Sequence, residues 1–300
     1  MKRCTLLIVL SAILLLPSIG IASIRLAIEY NIHPMAAFVG MQKGIFKRDN
    51  IDIESFKIYR TGMQLIAATL RKDADITFMC LNPAIIAFSR GAKIKILALT
   101  HLYGYGFVAK PEIKDVRELN GKTIGTMKMG SPLDLLYQIV KERYHLHVKV
   151  RRMSPLKLLI ALKRGDLSAT FLSEPFATEA AENGFPFLLP IQKIWPNMNG
   201  SVVVANDDFI KRHPREVKLF IKALKDATAY INMYPMESAE CAHKYIKVPT
   251  EIILKAMKHM VYTNKIDPKQ VEKTIALLRK LHYISKTVEL KKLLLRKPLR

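Results

Sequence analysis

PLKLLIALKRGDLSATFLSEPFA, residues 155–177, decides the fold. It reads as a short helix, a turn at Arg164-Gly165-Asp166, a buried strand from Ser168 to Leu172, and a second helix beginning near Pro175. Proline suits the first turn of a helix because its missing N–H would have no partner there. Ser173 and Glu174 then stand where the strand ends. In an open α/β sheet, ligands bind outside the carboxyl ends of strands, against the following helix starts. Both residues are therefore candidates for a pocket.

The same arrangement occurs at residues 64–84, QLIAATLRKDADITFMCLNPA. A helix ends at Leu70-Arg71-Lys72, a strand runs from Ile76 to Cys80, and Pro83 is expected to open the next helix. Thr77-Phe78 and Thr170-Phe171 are the shared strand centres, but the prolines align only after a one-residue shift. This is a repeated supersecondary unit and not a sequence repeat. It is compatible with two ordinary α/β units or with two similar lobes facing across a cleft.

Outward from these units, strands and helices alternate. Strands are expected at Ser23–Glu29, Ile51–Ile58, Ile76–Cys80 and Lys95–Thr100, with helices between them. Gly44 stops one helix, and Thr61 is placed as the N-cap of another behind Arg60. Tyr103-Gly104-Tyr105-Gly106 interrupts the alternation and reads as a crossing between lobes. Beyond it come a strand at Lys122–Thr126, the Gly130-Ser131 turn into a helix, and a strand near Val148–Arg151. Ser131 is a natural N-cap, and Gly130 permits close backbone approach to a ligand. Phe185–Leu189 and Val202–Ala205 are further strands, with Trp195 in a loop between them. From Asp207 the chain is nearly all helical, and Pro214 and Pro235 mark helix starts.

Composition narrows the function classes. Half of the 300 residues are hydrophobic, enough for substantial cores and against disorder. The net charge of +23 is spread along the chain with no nucleic-acid motif, which favours a solvated basic surface over nucleic-acid binding. Lys2-Arg3, the apolar run Leu6–Leu16 and Gly20-Ile21-Ala22 read as an export signal cleaved after Ala22. That run is too short for a membrane span. Cleavage removes Lys2 and Arg3 and leaves +21. Cys4 precedes the apolar run, so it is no lipid-anchor cysteine, and Cys80 and Cys241 read as buried free thiols. No spacing points to a metal, and no Ser/His/Asp or paired-carboxylate set is visible.

The order of elements resembles the substrate-binding proteins of ABC importers in the nitrate, sulfonate, taurine and thiamine-precursor group. The resemblance covers residues 23–282. It rests on Gly44-Ile45-Phe46, on Asp75 through Pro83-Ala84 and Gly91, on Leu119 through Gly125, on Gly130-Ser131, on Gly165-Asp166 through Glu174-Pro175-Phe176, and on Asp208-Phe209-Ile210 with Pro214. It implies a type II two-lobe α/β fold with mainly parallel sheets. Residues 23–108 and 201–300 would form one lobe and 109–200 the other. The protein would be a periplasmic monomer that captures a small molecule and delivers it to a membrane permease, without a cofactor.

Carried over by position, the resemblance implies ligand contacts at Asn31, His33, Thr61, Gly62, Asn82, Gly130, Ser131 and Glu174. Tyr30, Tyr105 and Trp195 are more readily core residues. Helix starts at Thr61, Asn82 and Ser131 would suit an anionic head. Glu174 would oppose an anion and accept hydrogen bonds from a nitrogen heterocycle such as a thiamine-precursor pyrimidine. Some relatives of this fold are pyrimidine-making enzymes with a cysteine-rich iron-binding segment, which this chain lacks. A periplasmic sensor domain is the remaining alternative.

Overall fold

A computed structural model describes residues 23–295. The expected export signal, residues 1–22, lies outside the described residues. The chain opens with β1 (Ile24–Glu29), α1 (Met35–Gln42), α2 (Ile45–Arg48), β2 (Ile53–Tyr59), α3 (Gly62–Leu70), β3 (Ile76–Cys80), α4 (Leu81–Ser89), β4 (Ile94–Leu99) and β5 (His101–Tyr103). It crosses into β6 (Tyr105–Ala109), β7 (Thr123–Thr126), α5 (Pro132–Arg143), β8 (Lys149–Arg152), α6 (Pro155–Lys163), β9 (Ala169–Ser173), α7 (Phe176–Glu182), β10 (Phe187–Leu189) and α8 (Ile191–Ile194). It returns through β11 (Ser201–Asn206) to α9 (Asp207–Arg212), α10 (Pro214–Met233), α11 (Pro235–Ile246), α12 (Thr250–Met257), β12 (Met260–Tyr262), α13 (Pro268–Lys280) and α14 (Leu290–Leu293).

Two five-stranded sheets result, ordered β2-β1-β3-β11-β4 and β10-β6-β9-β7-β8. In each, four strands point one way and one is reversed: β11 in the first sheet and β6 in the second. Each reversed strand is the one that follows a crossing. The first crossing lies at Tyr103-Gly104, both at positive φ, so Tyr105–Ala109 stands in the second sheet although the sequence assigns residues up to 108 to the first lobe. Four carboxyl ends of each sheet therefore face the cleft between the sheets, the position expected for a ligand.

The helices form for the reasons visible in the sequence. In α10 the buried side chains Val217, Phe220, Ala223, Leu224, Ala227 and Ile231 recur at helical spacing on one stripe. That stripe covers the first sheet, where Phe220 stacks on Phe46 with ring centroids 5.3 Å apart. Pro214, Pro235 and Pro268 each occupy the first helical position. The expected start at Pro83 moves to Leu81, which puts Pro83 third in α4. Proline is tolerated there because the first-turn amides have no intrahelical acceptor. The expected loop around Trp195 holds the short helix α8, and Trp195 is core, its Nε1–H donating to Gln270 Oε1 at 2.8 Å.

Cys80 and Cys241 are buried free thiols. No described helix is long and apolar enough to cross a membrane.

Candidate functional site

A cavity of about 550 Å³ lies between the two sheets, with walls from both. Its size is that of a small-molecule site. One end is polar. Glu29 terminates β1 and Cys80 terminates the neighbouring β3, and the Cys80 thiol donates to Glu29 Oε2 at 3.6 Å. Tyr105, the first residue of β6, donates its hydroxyl to Cys80 Sγ at 3.5 Å, so the second lobe closes this end. Burial raises the Glu29 carboxyl above the usual carboxylate range, partly offset by hydrogen bonding to Cys80, Asn31 and the Gly62 amide. Burial also pushes the Cys80 thiol far up, which makes it inert as a nucleophile. Among the described residues, three His, Cys, Asp or Glu side chains nowhere converge as they would on a metal ion.

Behind Glu29 stands a histidine pair. His33 Nε2–H donates to the Gly104 carbonyl at 2.9 Å, which leaves Nδ1 to face the Ser201 hydroxyl at 3.2 Å. Burial lowers its pKa from 6.5 to about 4, so the ring is neutral at pH 7. His101 lies with its centroid 4.6 Å from that of His33 and is held further below its usual range by burial and by His33. The backbone of both crossings presses on this pair. A Cβ on Gly104 would fall 2.8 Å from His101 Cε1, and one on Gly200 would fall 2.1 Å from it.

The middle and far walls are mostly apolar, with Ile66, Leu70 and Ile86 opposite Met127, Met129 and Met153. Thr61 and Ser131 sit on the wall as N-caps, accepting from the Gln64 and Asp134 amides at 3.3 and 3.2 Å. Gly130 faces Ile86 of the other lobe so closely that a Cβ would approach it to 2.7 Å. Asp134, fully buried, accepts from the Gly130 amide at 3.1 Å, from Arg152 at 2.7 Å and from the Tyr283 hydroxyl at 2.6 Å. Tyr283 follows α13, so this carboxylate ties the cavity's far wall to the C-terminal segment. Its hydroxyl pKa rises to about 12 through burial and the Asp134 bond.

Of the residues expected at the site, Asn31, His33, Thr61, Gly62, Gly130 and Ser131 are gathered on the cavity wall. Asn82 and Glu174 stand off it. Asn82 is buried in the first turn of α4 with Nδ2 unpartnered. Glu174 is fully buried, with Oε1 2.6 Å from His259 Nδ1 and Oε2 accepting from the Thr178 amide at 3.0 Å. Successive residues of a strand face opposite ways, so Ser173 lines the cavity while Glu174 turns toward His259 of the other lobe. Glu174→Gln is expected to lower the melting temperature of the unliganded protein by several degrees, since charge-assisted bonds contribute about 1.5–3 kcal/mol, while ligand affinity stays within a factor of two. An unchanged melt with weakened binding would return Glu174 to the ligand. Sequence reasoning missed Glu29, Cys80 and Arg152 on the wall. The strand-end rule that selected Ser173 applies equally to Glu29 and Cys80.

A family model described as NMT1/THI5 like matches residues 31–238. The chain belongs to this family. The matched span of this NMT1/THI5-like chain runs from Asn31, at the cavity's polar end, into α11. No curated protein matches it in sequence. Among solved structures, it is similar to the zinc-bound ligand-binding component of an ABC-type import system from Staphylococcus aureus, with TM-score 0.80 and 16% identity over 91% of this chain and 96% of that one. The periplasmic aliphatic sulphonate-binding protein SsuA of Escherichia coli superposes at TM-score 0.79 and 16% identity, over 91% and 92% of the two chains. The periplasmic nitrate-binding protein NrtA of Synechocystis superposes at 0.78 and 11% identity, over 92% and 86%. These likenesses place the NMT1/THI5-like chain in the type II periplasmic binding protein fold.

Proposed function

We propose that this chain is the substrate-capturing component of an ABC importer, a monomer working outside the cytoplasmic membrane and passing its ligand to a permease. The observation that carries the reading is a single cavity walled by strand ends from both sheets. A ligand that touches both walls stabilises the closed arrangement over an open one, and two backbone crossings permit that closure. The solved relatives described as ABC-import and periplasmic binding proteins support it. The proposed role is binding without chemical change, since the thiol on the wall, Cys80 beside Glu29, is buried and held protonated.

For the ligand we favour a nitrogen-bearing molecule, a thiamine-precursor-like pyrimidine being one such heterocycle, over nitrate or a simple sulfonate. Glu29 supports this. A carboxylate at the cavity's polar end repels an anion and accepts hydrogen bonds from amine, amidine or amino-heterocycle N–H groups. A thermal-shift panel of pyrimidines, thiamine, alkylamines, sulfonates, taurine and nitrate tests the class, because stabilisation follows ligand concentration over its dissociation constant. Small-angle scattering with the best responder is expected to show a smaller radius. Glu29→Gln is expected to weaken that responder roughly ten- to a hundredfold with little change in fold. A response confined to sulfonates or nitrate, or an unchanged radius at saturation, would overturn the reading.

A further inference from the structure

The cavity has a second charged pole, and helix rise and strand spacing give its approximate distance from the first. Arg90, Lys128, Arg152 and Lys157 all reach the wall. Arg152 is engaged by Asp134, whereas Arg90, Lys128 and Lys157 form no ion pair among the described residues. Glu29 likewise faces no cation among them. A carboxyl group and three cations without ion-pair partners among the described residues therefore share one cavity without meeting.

Two independent rulers give the separation. In the first lobe, α4 runs along the cavity from Cys80, beside Glu29, to Arg90, and its nine residues rise roughly 13 Å. In the second lobe, Tyr105 on β6 touches Cys80 while Arg152 ends β8, three strand spacings away, roughly 14 Å. Between the poles the wall is Ile66, Ile86, Met127, Met129 and Met153. Ser154, the N-cap residue of α6 two positions after Arg152, accepts no hydrogen bond from its own helix and lies on the wall at the cationic end.

From this we infer that the cavity takes a bipolar ligand: a nitrogen head that donates to Glu29, an elongated apolar body, and a carboxylate, sulfonate or phosphate tail met by Lys128, Lys157 and Arg90. The inference rests on the binding-protein reading and adds the tail and the length. A simple amine or a small anion satisfies one pole and leaves the other solvated. Methionine walls suit an elongated body because the thioether side chain adapts to irregular shapes.

The test is calorimetric titration at low salt with 8-aminooctanoate, octylamine and octanoate, against wild type, Glu29→Gln and the double variant Lys128→Gln/Lys157→Gln. Wild type is expected to bind 8-aminooctanoate at least tenfold more tightly than either single-headed probe. Glu29→Gln is expected to weaken 8-aminooctanoate and octylamine but not octanoate. The double lysine variant is expected to weaken 8-aminooctanoate and octanoate, by about tenfold because rim charges are partly screened, but not octylamine. If 8-aminooctanoate binds no better than octylamine, or the lysine variant leaves its affinity unchanged, the second pole is overturned while capture at Glu29 stands. If none of the three binds while a pyrimidine or small amine from the panel does, the elongated ligand is overturned and the binding-protein reading survives.

Discussion

Acidifying the unliganded protein from pH 7 to about 4 is expected to remove about 3 kcal/mol of stability through His33 alone. His33 titrates near 6.5 in the unfolded chain and at about 4 in the fold. Between those values the unfolded chain binds the extra proton, so stability is present above the window and lost as pH falls through it. His101, also held low, acts in the same direction. Glu29 acts oppositely: its raised pKa means that the fold holds a proton the unfolded chain has released, which offsets part of the loss. Cys80 and Tyr105, the other titratable groups on this cluster, are pushed further up and do not ionise in the window. Urea melts at both pH values separate the contribution. His33→Gln keeps a donor for the Gly104 carbonyl and has no titrating ring, so its loss on acidification is expected to be smaller by about 3 kcal/mol. Equal losses in both proteins would remove His33 from the account.

Gly200→Ala is expected to cost about 3 kcal/mol, the upper end of the range for overpacking. The new methyl carbon would sit 2.1 Å from His101 Cε1 and 2.4 Å from its Nδ1. The ring is confined, because the residue is fully buried and a Cβ on Gly104 of the other crossing would already fall 2.8 Å from the same Cε1. For a chain of this size the melting temperature should fall by about 6–12 °C. The mechanism has its own check. His101→Ala is itself destabilising, but in that background the added methyl finds the space the ring vacated, so the double variant should be more stable than the sum of the singles by about 1–3 kcal/mol. Additive losses would show that the clash is not with His101.

Much of this architecture was legible because it is local. Prolines at helix starts and the buried stripe of α10 are carried by neighbouring residues, and the strand around Thr77 fell at Ile76–Cys80 as expected, while that around Thr170, expected at Ser168–Leu172, lies one residue later at Ala169–Ser173. The paired three-residue strands β5 and β12 were not legible, since so short a strand has no periodicity and its partner is about 160 residues away. Tyr105–Ala109 stands in the second sheet, a placement the sequence left open because the stretch carries the same apolar signature in either sheet. At the site, the choice between Ser173 and Glu174 depended on strand phase, a one-residue distinction that sequence pattern does not resolve. Glu29 was open to the strand-end rule, but its meeting with Cys80 and the histidine pair depended on three chain segments converging, at residues 29–33, 80 and 101–105, which no local pattern records.

The reversed strand β11 also sets an order of events during synthesis. It lies between β3 and β4 and pairs Cys80 with Ser201, so the first sheet lacks an interior strand, and β4 its partner, until residue 206 has emerged. The second sheet needs only residues 105–189, one uninterrupted stretch, and can close first. Pairings across so many residues are slow because a long loop must be closed before any contact rewards it. A ribosome paused near residue 200 should therefore display a protease-resistant second lobe and a first lobe still open to digestion. A lobe that lacks an interior strand until so late in synthesis carries a built-in delay before its sheet can close.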